Sequence, residues 1–172
     1  MFNIIYLCYN RISQRYGWYI MANTEWNKLN RMQLGRYAEY YAKMEFASYG
    51  LDVYTSEVDD HGVDFIVKDK KKIFNEIQVK SLRNKGYTFM QHEKFDLSNK
   101  ALYLVLMIFE DDKLPNIYLI STDAWNNENN MFIIRNFDKG QKSKPEYGVN
   151  IANSNKELLE KYRFEYMIKD FM

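Results

Sequence analysis

One cysteine, two histidines, two prolines and seven glycines in 172 residues leave several kinds of chemistry without their raw material. The single thiol, Cys8, cannot close a disulfide within the chain, and with only His61 and His92 beside it no Cys/His zinc cluster can be assembled. A reducing cytoplasm is the compartment that this cysteine usage predicts. The shortage of Pro and Gly excludes a low-complexity linker dividing the chain. There is no Gly-x-Ser-x-Gly elbow and no Gly-rich phosphate loop, and Cys8 has no histidine near it in sequence, so the common nucleophilic schemes have no foothold. No long apolar run exists either. The stretch from Phe2 to Tyr9 is eight residues, far below the ~20 needed to span a bilayer, and it lacks the basic lead and small-residue cleavage site of a signal peptide. A net charge of +1 gives no global sign of a nucleic-acid partner.

What is present is apolar and aromatic: 47% hydrophobic residues, with 15 Tyr and 11 Phe. That composition predicts one ordered domain, at a length where folding buries roughly 70% of the surface of the unfolded chain. Residues 1–22 are read as an N-terminal extension, with Met21 as an alternative start, and 23–172 as a single domain. A helix is expected from a Thr24 N-cap to Tyr49, on the spacing of Leu34, Ala38, Tyr41, Ala42 and Glu45, with Gly50 ending it. Strands are expected at Leu51 to Tyr54, Val63 to Lys68, Ile73 to Lys80 and Tyr87 to Met90. Ala101 to Phe109, apolar almost throughout, reads as the buried centre of the sheet, followed by strands at Asn116 to Ser121, Met131 to Ile134 and Gly148 to Ala152. A helix from Ser154 to Tyr162 closes an α/β fold with a mixed sheet, and Asp138 to Pro145 reads as a loop.

Chemistry concentrates in one hairpin. Asp64 begins an apolar strand, and fourteen residues later Gln78, Val79 and Lys80 follow on the next, where alternation groups Glu76, Gln78 and Lys80 on one face. A carboxylate and an amide oxygen can hold Mg²⁺, and an ammonium can neutralise a phosphate. Each residue has a simpler alternative: a turn-capping Asp64, a surface Lys80, a Glu76 paired across strands, a Glu39 paired with Lys43 one helical turn on. Between Lys68 and Lys94 eight basic residues face three acidic ones, with Tyr87 and Phe89 interleaved, so Arg83, Lys85, Tyr87, Lys70 and Lys71 are candidate nucleic-acid contacts. A solvated Lys-rich hairpin tip is the alternative for Lys70 and Lys71. His61, beside Asp60, reads as a turn residue.

The order of these features, a helix with Gly35 and Glu39, a strand, a strand with Asp64 and a strand with Gln78 and Lys80, resembles the PD-(D/E)XK nuclease superfamily, in particular its small bacterial members. The likeness covers Gln33 to Ser81 as motif. It implies a restriction-endonuclease-like αβββαβ core with a mixed sheet flanked by helices. It also implies Asp64, Gln78, Lys80 and Glu39 as the catalytic set, and Mg²⁺, with Mn²⁺ as a substitute, held by Asp64, Gln78, the Val79 backbone, Glu39 and Glu76. Gln78 departs from the motif, which has Asp or Glu there, and no Pro precedes Asp64. Two functions stay open: a metal-dependent nuclease acting on DNA, dimeric if it cuts both strands, or a non-catalytic relative that binds nucleic acid or protein. In the second, Trp125, Tyr147 and Tyr162 are read as a dimer or partner surface.

Overall fold

The computed structural model describes residues 23–55, 62–126, 129–137 and 143–172. The N-terminal extension with Cys8 and Met21, the acidic turn of Glu57, Asp59, Asp60 and His61, and residues 138–142 of the expected loop lie outside the described residues.

Helix α1 (Arg31–Ser48) is capped by Asn30, six residues later than the Thr24 expected from sequence. The Asn30 side chain accepts from the Gln33 backbone N–H at 2.9 Å while the Gln33 side chain accepts from the Asn30 N–H at 2.8 Å, a reciprocal capping box. The residues before it form a 3₁₀ turn, Trp26–Lys28. Trp26 holds that turn to the body, since its ring meets Tyr37 and Phe109 and its indole N–H donates to the Lys113 carbonyl at 2.8 Å. Leu34, Ala38, Ala42 and Phe46, four residues apart, form the buried stripe of α1, and Gly50, at φ +72°, ends the helical run as expected. Gly35 is different: a Cβ there would meet nothing within 4 Å. Gly35→Ala should therefore stabilise the fold by about 1 kcal/mol, read as a rise of roughly 2–4 °C in Tm.

The strands are β1 (Asp52–Tyr54), β2 (Phe65–Lys68), β3 (Phe74–Arg83), β4 (Gly86–Gln91), β5 (Leu102–Phe109), β6 (Asn116–Ser121), β7 (Phe132–Arg135) and β8 (Glu146–Ile151). They form two sheets, ordered β1-β2-β3-β5-β6 and β4-β8-β7. Only β3 and β5 run parallel, so the larger sheet is mixed, as expected. Its middle strand is β3 rather than β5, although β5 is buried on both faces. The second sheet was not foreseen: alternation marks strands but does not say which strands pair. Its capture of β4 puts a strand and a 3₁₀ turn, His92–Lys94, into the connection from β3 to β5, where the αβββαβ pattern has a helix.

Each face of the mixed sheet carries its own core. Ile77, Val79, Val105 and Met107 pack under α1 with Phe164, Ile168 and Phe171 from the C-terminus. Leu102, Leu104, Leu106 and Ile108 point the other way, against Met90, Phe132 and Val149 of the second sheet. Trp125 (2% exposed) lies in this second core, which removes it from the expected partner surface; Tyr147 and Tyr162 are half-buried, packed against that core. The Trp125 indole N–H donates to the Gly148 carbonyl at 3.2 Å. Within the expected closing helix, Ser154 to Tyr162, a 3₁₀ turn (Asn153–Asn155) leads into the short α2 (Lys156–Glu160); beyond it, past Arg163, which adopts an extended ψ of 134° and bridges to Tyr118 on β6, lies a further short helix, α3 (Phe164–Met167). Among the described residues no helix is long and apolar enough to cross a membrane.

Candidate active site

The β2–β3 ladder ends at the pair Phe65–Ile77, while β3 continues for six residues, Gln78 to Arg83, paired only with β5. Asp64 stands at that divergence. Its N–H donates to the Ile77 carbonyl at 2.9 Å, and its Oδ2 accepts from the Val79 N–H at 2.6 Å, so the carboxylate takes over a backbone partner where the ladder stops. This cross-strand bond fixes the carboxylate against the backbone between Gln78 and Lys80.

Even-numbered β3 residues face away from α1, which puts Gln78 and Lys80 together on the side of the second sheet. Gln78 is 5% exposed, and its Oε1 has no hydrogen-bond partner among the described residues. Gly62, at φ +81°, comes up against it: a Cβ at 62 would lie 3.1 Å from Gln78 Nε2 and 2.9 Å from Lys94 Cβ. Lys80 is half-buried and has no carboxylate partner among the described residues. The two open into a cleft of about 370 Å³ whose far wall is Tyr87 to Gln91, with Lys94 at its margin. Strand β4 pairs with β8 alone, so its other edge carries no strand.

The remaining candidates are distributed more widely than the sequence suggested. Glu39 is held by Arg36 at 2.6 Å, not by Lys43, and α1 lies on the opposite face of the sheet from Gln78 and Lys80. Lys43 instead lies over the Phe65 ring. Glu76 shares the Gln78 face, but its Oε2 accepts from Asn99 Nδ2 at 3.1 Å. Arg83 is turned into the body, donating to the Trp26 and Leu29 carbonyls, so its job is to anchor the turn before α1 and not to meet a phosphate. Lys70 and Lys71 donate to the carbonyls of Gly50 and Asp170 at the far end of β3, away from the cleft. Lys85 sits in the β3–β4 turn, beyond the cleft and facing a different cavity.

Tyr87 does reach the cleft wall, but it is pinned there. Its hydroxyl donates to Glu146 Oε1 at 2.7 Å, the Arg135 guanidinium lies 4.4 Å from its ring centroid, and Arg135 pairs with Glu146 at 3.3 Å. Burial first, and then the bond to Glu146, push its pKa up to about 12, so it is a fixed donor and not a base. Gly148 makes the arrangement fit, since a Cβ there would fall 2.1 Å from the Tyr87 hydroxyl oxygen and 2.4–2.5 Å from its ring carbons. Gly148→Ala should cost about 2 kcal/mol through displacement of that ring, seen as a Tm lowered by roughly 4–8 °C. Phe89, 45% exposed and stacked on Tyr87, is the freer aromatic.

Among the described residues no three His, Cys, Asp or Glu side chains gather to hold a metal. The neighbouring donors are oxygens: the Asp64 carboxylate, which is bonded to the Val79 N–H and is not among the residues lining the cleft, and Gln78 Oε1, which lines it and has no hydrogen-bond partner among the described residues. That set fits a hard cation such as Mg²⁺, which keeps several waters and needs few protein ligands. Gly62 was not expected at the site, and Lys94 and Phe89 were read only as members of the basic and aromatic stretch. A lysine in a charged turn carries no sequence signal, and Gly62 read only as the end of an acidic turn.

No protein-family model matches the chain, and no curated protein matches it. Solved structures do. A bacterial homing endonuclease superposes with a TM-score of 0.50 at 15% identity, over 82% of this chain and 94% of the other. At that identity the likeness is one of fold: this chain shares the α/β fold of that endonuclease. Hjc, a Holliday junction resolvase from the archaeon Archaeoglobus fulgidus, aligns over 76% of this chain and 98% of its own, at a TM-score of 0.46 and 6% identity. In chain order, Asp64 at the β2–β3 divergence and Gln78 and Lys80 on β3 follow the helix that carries Gly35 and Glu39 and the short strand β1.

Proposed function

We propose that this protein is a metal-dependent nuclease that hydrolyses phosphodiester bonds of nucleic acid, DNA in the first instance. The observation that carries the reading is Gln78: its amide oxygen is buried with no hydrogen-bond partner among the described residues, a state that costs about 1–3 kcal/mol, and it lies beside a half-buried lysine with no counter-ion among those residues, in an open cleft. A site left in that state is suited to a ligand that brings both positive charge for the oxygen and negative charge for the ammonium. A hydrated cation with a phosphodiester meets both needs.

Asp64, Gln78 Oε1 and the Val79 carbonyl are the groups that would hold Mg²⁺ or Mn²⁺. When bound, the cation supplies Lewis-acid activation of water and neutralisation of phosphate charge. The Val79 N–H keeps Asp64 oriented, and the Lys80 ammonium donates to a phosphate oxygen as charge grows on it. Phe89 offers a surface for a base, and Lys94 a charge for the flanking backbone. One such centre cuts one strand per event, so cleavage of both strands calls for a second copy of the chain.

A non-catalytic nucleic-acid binder is the second reading. It is favoured by Gln78 in place of a carboxylate and by Glu39 and Glu76 being engaged elsewhere. Fold alone does not choose between them. Supercoiled plasmid and single-stranded DNA incubated with Mg²⁺, Mn²⁺ or EDTA decide the matter. The nuclease reading expects nicking in either metal and none in EDTA; salt-sensitive DNA binding without cutting supports the binder.

A further inference from the structure

A second, larger cavity, about 660 Å³, opens at the other end of the two-sheet core, where the β3–β4 turn, the β5–β6 connection, the end of β8 and α2 meet. Its floor is apolar and buried: Ile108, Tyr118, Ile151 and Leu159 are each under a tenth exposed. Its rim is cationic. Lys85, Lys113 and Lys156 come from three separate elements around one carboxylate, Glu110. Lys113 takes that carboxylate at 2.6 Å, and no hydrogen bond or ion pair occupies Lys85 or Lys156 among the described residues. The Lys113 hydrogen bond, with the fields of Lys156 and Lys85 added, holds the Glu110 carboxyl below its ordinary range, which is the electrostatic trace of their convergence.

The back of the cavity is already satisfied. Arg163 bonds Glu160 at 2.7 Å and Asn116 Oδ1 at 3.1 Å, Tyr118 donates to Glu160 at 3.2 Å, and the guanidinium lies 5.4 Å from the Tyr118 ring centroid. The unmet demand is therefore for an anion at the rim, attached to something flat and largely apolar that can cover the floor. The amide side chains of Asn84, Asn116 and Asn153 line the cavity and can meet polar edges of such a ring. The volume lies in the range of small-ligand sites.

We infer that this cavity binds a 5′-phosphorylated nucleotide, its phosphate on Lys85 and Lys156 and its base over Ile108, Ile151 and Leu159. The nucleotide is either free or the terminal residue of a strand. The site is separate from the Gln78 and Lys80 cleft, and the inference does not depend on cleavage there.

Calorimetric titration in EDTA with dAMP, deoxyadenosine, and short oligonucleotides bearing a 5′-phosphate or a 5′-hydroxyl tests it. Saturable dAMP binding is expected, with deoxyadenosine binding at least about ten-fold more weakly, and with dAMP affinity falling by a similar factor in Lys85→Ala/Lys156→Ala. These are exposed side chains whose loss leaves the core intact. A preference for the 5′-phosphorylated oligonucleotide over the hydroxyl form assigns a strand end as the source; equal binding of the two, with dAMP bound, assigns the free nucleotide. Absence of phosphate-dependent binding by both dAMP and oligonucleotide overturns the inference. So does dAMP binding that survives the double lysine variant and is lost in Lys80→Ala, because that locates the nucleotide in the other cleft. Metal-dependent cleavage plays no part in this measurement, so its failure is distinguishable from failure of the nuclease reading.

Discussion

Lys80→Ala should abolish metal-dependent cleavage, lowering the rate by about 10²–10³-fold, while leaving stability within about 1 kcal/mol of the parent. The asymmetry follows from its surroundings. Lys80 is half-buried on β3, no carboxylate pairs with it among the described residues, and it faces the cleft rather than the core under α1. Its removal deprives the fold of little and deprives a bound phosphate of its nearest ammonium. Asp64→Ala makes the complementary case. It should also end cleavage, but with a loss of about 1–2 kcal/mol, because the Val79 N–H forfeits the acceptor it holds at 2.6 Å. Asp64→Asn keeps an oxygen for that N–H and removes the charge, so it should recover stability without recovering activity. Plasmid nicking rates beside thermal melts of the three variants check the set. A Lys80→Ala protein that nicks at the parental rate would falsify the assignment of the centre.

Gln78→Glu should tighten Mg²⁺ binding by about ten-fold or more and make stability depend on the metal. The position is 5% exposed, and the new carboxylate would stand next to Asp64 across the end of the β2–β3 ladder. Without a cation, two carboxylates in a desolvated site repel, and a buried charge without a partner costs several kcal/mol. With Mg²⁺ the same charge becomes a ligand, and affinity for a hard cation rises with ligand charge. The expected result is a Tm in EDTA several degrees below that of the parent, recovered or exceeded in millimolar Mg²⁺, with cleavage saturating at lower metal concentration. A variant whose melting is lowered equally in both conditions would place no cation at residue 78. The parent, with a neutral amide there, should show only a weak metal dependence of Tm.

How much of this was legible beforehand depends on whether the signal was local. Strand β3 could be read from alternation, and with it the shared face of Glu76, Gln78 and Lys80, because side chains alternate at a period of two whatever lies around them. The end of α1 at Gly50 was equally local. The start of α1 was misplaced, because Thr24 and Asn30 are both competent N-caps and the choice rests on Gln33 closing a capping box and on Trp26 reaching Lys113 and Phe109, a contact across 83 residues of chain. The basic patch was a true feature of the sequence that the fold divides. Lys70 and Lys71 serve the far end of β3, Arg83 serves the turn before α1, and Lys85 serves another cavity. Counting charges along the chain cannot separate them, since strand length and direction decide which end each reaches.

By itself the sequence determined most of the element types and the single hairpin that carries Asp64, Gln78 and Lys80, which depend on residue identity and short-range spacing. Only the tertiary structure decided that β4, β7 and β8 form a second sheet, that Trp125 is interior with Tyr147 and Tyr162 half-buried against it, that Gln78 is buried with its oxygen unmet among the described residues, and that Glu39 and Glu76 are taken by Arg36 and Asn99. These are long-range facts. Strand pairing and polar satisfaction are settled by which segments meet in space, and the free energy of each meeting belongs to both partners and not to either stretch of sequence alone.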